Sequence, residues 1–200
     1  MSICDKLKAD YEFDCLHPES GGGDEELMLI NMADINRATN DYGFGFNVAN
    51  PLLIETIALK TGAQAYTVTG KRNPNSIMSE PVFGDASSGY THGVQFHLYE
   101  VDKATVAMLN ALKDRPVMAI HKTNQRNEDG DNVYKVLGRV NGMFLETSPY
   151  NSNENAGIVV VNIRTLEGHQ EPNAAEFLYD TDHATTEAYY ESLKEVVTGS

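Results

Sequence analysis

Tryptophan is absent from this 200-residue chain, cysteine occurs only twice, and cations are scarce, with 15 Lys and Arg against 29 Asp and Glu. Each shortage excludes something. Cys4 and Cys15 alone cannot build a zinc site, and no His stands at finger spacing from them. They can pair or stay reduced; with no basic stretch leading into an apolar one at the start, two reduced thiols are expected. Apolar runs such as residues 158–161 are far too short to cross a bilayer, so no membrane partner is expected. A net charge of −14 leaves nothing to gain from releasing counterions, so the chain should not grip nucleic acid through its phosphates.

The acid is concentrated at the two ends. Residues 1–26 carry eight acids against Lys6 and Lys8, and residues 164–200 carry eight against Arg164 and Lys194. The middle is close to neutral. A basic stripe would overturn the reading if folding gathered Lys71, Arg72, Lys113, Arg115, Lys122 and Arg126 on one face. Scattered, they pair with neighbouring acids.

The clearest signal is a segment whose period changes twice. Residues 90–100 alternate, with Val94, Phe96 and Leu98 on one face of a strand. Residues 102–114 turn helical, with Thr105, Met108, Leu109 and Leu112 as the buried stripe. Arg115-Pro116 stops the helix, and an extended pattern resumes over 117–122. The fold class that follows is mainly β with some α: a β-sandwich or barrel-like domain with one flanking helix, an N-terminal arm and a C-terminal helix. The chain divides into an arm with a Gly hinge (1–23), a β domain (24–168) with its helix at about 102–114, and a C-terminal tether and helix (169–200).

Within that plan, 27–31 is a short apolar strand, and 53–60 and 64–70 read as a hairpin about Thr61-Gly62-Ala63. Residues 34–51 form a long Asn- and Gly-rich loop, and 71–89 a second one in which 77–83 can run extended. Strands at 117–123 and 133–140 flank an Asp-Gly turn. Asn141-Gly142 turns the chain into 143–147, and 156–166 is the last strand. Phe177-Leu178-Tyr179 is an apolar tether before a helix over 184–197, with Asp180 and Asp182 as N-caps.

Candidate chemistry is sparse. His92 and His97 are five apart on one strand and face opposite sides, His121 lies on the next strand, and His17, His169 and His183 lie in loops or at helix starts. No pair has metal-ligand spacing beside a carboxylate. Asp129-Gly130-Asp131 lacks the ligand series of a calcium loop and reads as a turn. Asp180-Thr181-Asp182-His183 is explained by capping. Gly43-Phe44-Gly45-Phe46 and Thr69-Gly70-Lys71-Arg72 are too short for phosphate loops, and Ser87-Ser88-Gly89 is no nucleophile elbow. Catalytic residues, cofactors and metals are therefore not expected, and neither is an enzyme. Exposed aromatics among glycines instead suit assembly, with Tyr42, Phe44, Phe46, Ile77, Phe83, Ile3 and Phe13 as the candidate interface.

On these residues the chain resembles the tail-tube proteins of tailed bacteriophages. The likeness is carried by Ile3-Cys4-Asp5 with Phe13-Asp14-Cys15, by Thr56-Ile57-Ala58-Leu59-Lys60 leading to Ala65-Tyr66-Thr67-Val68-Thr69-Gly70, and by Asp180-Thr181-Asp182-His183-Ala184-Thr185-Thr186. The resemblance implies a virion structural protein whose copies form rings, hexameric in the family, that stack into a tube conducting DNA. Its partners would be itself, other tail proteins and DNA that passes without specific binding. Neck, tail-terminator or connector rings share that architecture. From a different class, a monomeric β-sandwich that binds a ligand through Tyr42, Phe44 and Tyr90 fits the same composition.

Overall fold

The computed structural model describes residues 23–70, 75–83, 88–124, 129–150 and 158–198. Its strands are β1 (Gly23–Asn31), β2 (Phe44–Phe46), β3 (Leu53–Ile57), β4 (Tyr66–Thr69), β5 (Ser76–Phe83), β6 (Ser88–Leu98), β7 (Val117–Thr123), β8 (Tyr134–Leu137), β9 (Phe144–Thr147), β10 (Val159–Arg164) and β11 (Glu176–Leu178). Two helices, α1 (Lys103–Asp114) and α2 (His183–Ser192), accompany them. The fold is mainly β with some α, as its periodicities imply. A larger sheet runs β2-β3-β11-β8-β7-β1-β4, and a smaller one β5-β6-β10-β9. Among the described residues only β3 and β11 pair in parallel.

The larger sheet is the middle layer. Leu27, Leu29, Val68, Ala119 and Leu137 face the smaller sheet, meeting Val94, Phe96, Val159, Val161 and Ile163 together with Leu112 of α1. From its other face Met28, Ile30, Met118, Ile120 and Val136 meet Tyr190 and Leu193, with Ile35, Leu59 and Ala65 in the same cluster. A strand buried on both faces has no polar side, so β1 and β7 read as unbroken apolar runs. Each such Leu, Ile or Met contributes about 1.5–3 kcal/mol by leaving water.

The double switch of period appears as expected. Val94 and Phe96 point inward from β6, and α1 starts where the Asp102 carboxylate accepts from the Thr105 amide at 2.8 Å. Arg115 is already extended, as a residue before proline must be. The β7–β8 pairing is the expected hairpin. At Gly142 (φ +75) the chain turns out of the larger sheet toward β9; an added Cβ there would lie 2.7 Å from the Pro116 side chain and 2.8 Å from that of Met32.

Three expectations are corrected. β3 and β4 are strands but not a hairpin, since they lie toward opposite ends of the larger sheet. The chain between them crosses the sheet face, burying Leu59, Ala63 and Ala65, and is held by Asn36 N–H to the Ala58 carbonyl (2.8 Å) and Ala65 N–H to the Leu193 carbonyl (2.8 Å). By contrast, the stretch 77–83 of the second long loop does run extended, as β5, which pairs with β6 from Ser76↔Gln95 to Phe83↔Ser88; its Ser, Pro and Glu suit the solvated side of an edge strand. The apolar tether is β11, inserted between β3 and β8. α2 ends at Ser192, short of the expected 197, because the backbone beyond it is taken by residues 62–65: Gly62 donates to the Val197 carbonyl, and Val197 donates to that of Ala63. Residues 169–198 thus contribute both a strand and a covering helix to the packed body.

Candidate functional site

The expected assembly residues separate. Tyr42 is 68% exposed and Phe83 82%, whereas Phe44 is 2% exposed and belongs to the core. Phe44 therefore offers its ring neither to a neighbouring subunit nor to a ligand, which corrects both expectations for it. Phe46 packs partly buried against the same core, and Ile77 packs partly buried between the sheets. Ile3 and Phe13, with Cys4 and Cys15, lie outside the described residues.

The Asn-rich loop is tied to itself. Asn47 Oδ1 accepts from the amides of Ala49 (2.9 Å) and Asn50 (3.0 Å), and Asn50 Oδ1 from that of Leu52 (3.1 Å). These are Asx turns, the local reason for asparagine there. Ala58 N–H then donates to the Gly43 carbonyl at 2.8 Å, drawing Phe44 inward.

Phe44 and Phe46 cover a buried polar corner that sequence reasoning missed. The Arg139 guanidinium carbon lies 5.5 Å from the Phe44 ring centre and 5.0 Å from that of Phe46. Arg139 forms a two-pronged ion pair with Glu176, its Nη2 reaching Oε1 at 2.9 Å and its Nε the other oxygen. Asn173 Nδ2 donates to the same Oε1 at 2.7 Å. Beside it, the Glu171 carboxylate accepts from the amides of Val140 (3.0 Å) and Asn141 (2.8 Å), so one buried acid holds the corner between β8 and β9.

His92 joins the pieces. Gly138 N–H donates to its Nδ1 at 2.9 Å, and its Nε2 lies 2.9 Å from the Asn173 carbonyl. With Nδ1 accepting, Nε2 must carry the proton, so the ring is neutral. Burial lowers its pKa from 6.5, against the opposing pull of the nearby Glu171 and Glu176 carboxylates. One signal for this site stood in the sequence: His92 shares parity with Val94 and Phe96, the buried face of β6. Glu171 and Glu176 carried none, since an acid just before Pro172 and one opening a three-residue strand look like solvated loop.

Chemically this corner is a clamp. The imidazole, both carboxylates and the guanidinium are each committed to partners within the chain, and they hold 138–142 against 170–176. A second polar site fixes α2, where Glu26 Oε1 accepts from Tyr190 Oη at 3.0 Å and from Lys194 Nζ at 2.7 Å. The basic stripe that would have overturned the acidic reading does not gather among the described residues. Lys122 pairs with Glu187 at 3.1 Å, while Lys113 and Arg115 stand exposed at the end of α1. Lys71, Arg72 and Arg126 lie outside the described residues. No three His, Cys, Asp or Glu side chains among the described residues are arranged to hold a metal, and no described helix is long and apolar enough to cross a membrane. No family model, curated protein or solved structure matches this chain.

Proposed function

We propose that this protein is a structural subunit of a bacteriophage tail, whose copies associate through side chains into rings that stack as a tube for DNA. The observation that carries this reading is Phe83, which is 82% exposed on β5, at the edge of the smaller sheet. A large aromatic left in water beside an open strand edge is a ready contact for a second copy. Pro81 lacks an N–H and so leaves a gap among the donors β5 can offer a further strand, which disfavours sheet extension and leaves the contact to side chains. Two further points support the reading. A two-sheet body with a flanking helix is what the tail-tube resemblance implies, and a charge of −14 suits a wall past which phosphates slide.

Negative-stain imaging and sedimentation across protein concentrations test it. Rings or polymers that grow with concentration are expected. A single 22.0 kDa species at every concentration would overturn the proposal.

A further inference from the structure

The smaller sheet turns one face to the core. Val159, Val161 and Ile163 of β10 point inward, so Asn162 and Arg164, which alternate with them, stand half-buried on the outer face. Register carries that face across all four strands. Ser76, Gln95, Asn162 and Thr147 stand side by side in one row, and Met78, Gly93, Arg164 and Phe144 in the next. The first row is tied together: Gln95 Nε2 donates to Asn162 Oδ1 at 3.0 Å, and Asn162 Nδ2 to Thr147 Oγ1 at 2.8 Å. Each amide is fixed by its neighbour and still keeps one N–H and a carbonyl lone pair to offer.

The second row is bare in the middle. Gly93 lies between Met78 and Arg164, and an added Cβ there would come within 2.9 Å of Met78 Cε. Arg164 reaches across β6 to β5, where its Nη2 donates to Glu80 Oε2 at 2.8 Å. This ion pair is a bar over the sheet with a hollow on each side. One holds about 370 Å³ beside Thr91 and Phe144, the other about 210 Å³ beside Gly93, Gln95 and Asn162, and both are lined by Arg164 and Glu146. Leu145, Val94 and Ile163 border the hollows too, and because their side chains pack between the sheets it is backbone that they present.

Two amides, a carboxylate and a guanidinium beside an aromatic ring match the surface of a sugar. Neighbouring hydroxyls, which donate and accept at once, pair with the planar polar groups, while the C–H face of the ring lies on the aromatic. Polar groups already held in place cost little further ordering on binding. Charge narrows the class. Among the described residues Arg164 is the one cation lining either hollow, and Glu80 neutralises it. The exposed Glu146 and the net charge of −14 then disfavour an anionic ligand. We infer that the outer face of the smaller sheet binds a neutral oligosaccharide, with one sugar ring in each hollow and the linkage crossing the Arg164–Glu80 bar. Phe144 carries the C–H face of one ring, and Gln95 and Asn162 hold the hydroxyls of the other. This inference concerns one subunit's own face and does not depend on the assembly reading.

Saturation-transfer NMR and calorimetric titration of the full chain test it. Cellobiose, maltose, lactose and N,N′-diacetylchitobiose serve as neutral probes, and 3′-sialyllactose as the anionic one. At least one neutral disaccharide should bind. Its affinity should fall about tenfold in Gln95→Ala/Asn162→Ala, which removes two hydrogen-bonding side chains, and should fall independently in Phe144→Ala, which strips the other hollow. Thr67→Ala, exposed on the larger sheet, should bind as the wild type does, and thermal unfolding shows that each variant is folded. Binding of none of the four neutral sugars overturns the inference, as does undiminished affinity in either folded wall variant. Tighter binding of 3′-sialyllactose than of lactose overturns it too, since the charge of the face would then have been misread.

Discussion

Tyr189 and Ile57, 132 residues apart, are joined by a closed pair of hydrogen bonds: the Tyr189 hydroxyl accepts from the Ile57 amide at 2.6 Å and donates to the Ile57 carbonyl at 3.0 Å. Burial raises the phenol pKa, so the hydroxyl keeps the proton it donates. Removing it orphans both backbone groups at the end of β3. Tyr189→Phe should cost about 1–2 kcal/mol in urea unfolding with the fold unchanged.

His92 should make stability depend on pH. Its folded pKa lies below the unfolded 6.5, so above pH 6.5 both states are neutral and its contribution is complete. As pH falls below 6.5 the unfolded chain takes up a proton that the native one refuses, and stability is lost down to the folded pKa. Asp102 and Asp182, lowered by their bonds to the Thr105 and Thr185 amides, act in a separate window below 3.8. Urea midpoints measured from neutral pH to about pH 5 should fall for the wild type and flatten for His92→Gln. His92→Ala should cost about 2–4 kcal/mol at neutral pH, because Gly138 N–H and the Asn173 carbonyl both lose a partner.

Phe44 and Phe83 should behave oppositely. Phe44→Ala opens a cavity in the core and uncovers the Arg139 guanidinium, at a cost of about 3–5 kcal/mol. Phe83→Ser should leave stability within about 0.5 kcal/mol of the wild type while reducing association. Thermal unfolding paired with sedimentation separates the two. Unchanged association in Phe83→Ser would remove this residue from the interface.

Duplex DNA should bind weakly and without sequence preference even at low salt. At −14 per chain, a hexamer would carry about six times that charge and repel phosphates strongly. Electrophoretic mobility shift at low salt checks this. Tight, steeply salt-dependent binding would turn the reading toward packaging or regulation.

What could be read from residues alone was whatever is written in local period. β6, α1 and β7 were legible because an alternating run, a helical stripe and Arg115-Pro116 follow one another. Partner choice was not: residues 53–60 alternate well enough to announce a strand, yet nothing local says that β3 pairs with β11 and not with β4. β11 has three residues, too few to show a period. Phe44 misled because glycines on either side suggested a solvated loop, whereas the bond between Ala58 and Gly43 that draws it inward is a long-range contact. The clamp was hidden for the same reason, since acids on one loop meet amides on another some thirty residues away.

The place of β11 fixes an order of events during synthesis. Until Glu176–Leu178 has left the ribosome, the larger sheet exists only as two halves, β2–β3 and β8-β7-β1-β4, with no seam between them. Each half then shows a raw edge to the cell, β3 on one and β8 on the other, and such edges invite wrong pairings with neighbouring nascent chains. A ribosome that stalls before residue 176 would therefore release an aggregation-prone fragment and not a smaller folded subunit. The segment that carries β11 acts as the fastener of a body whose strand β1 was made long before.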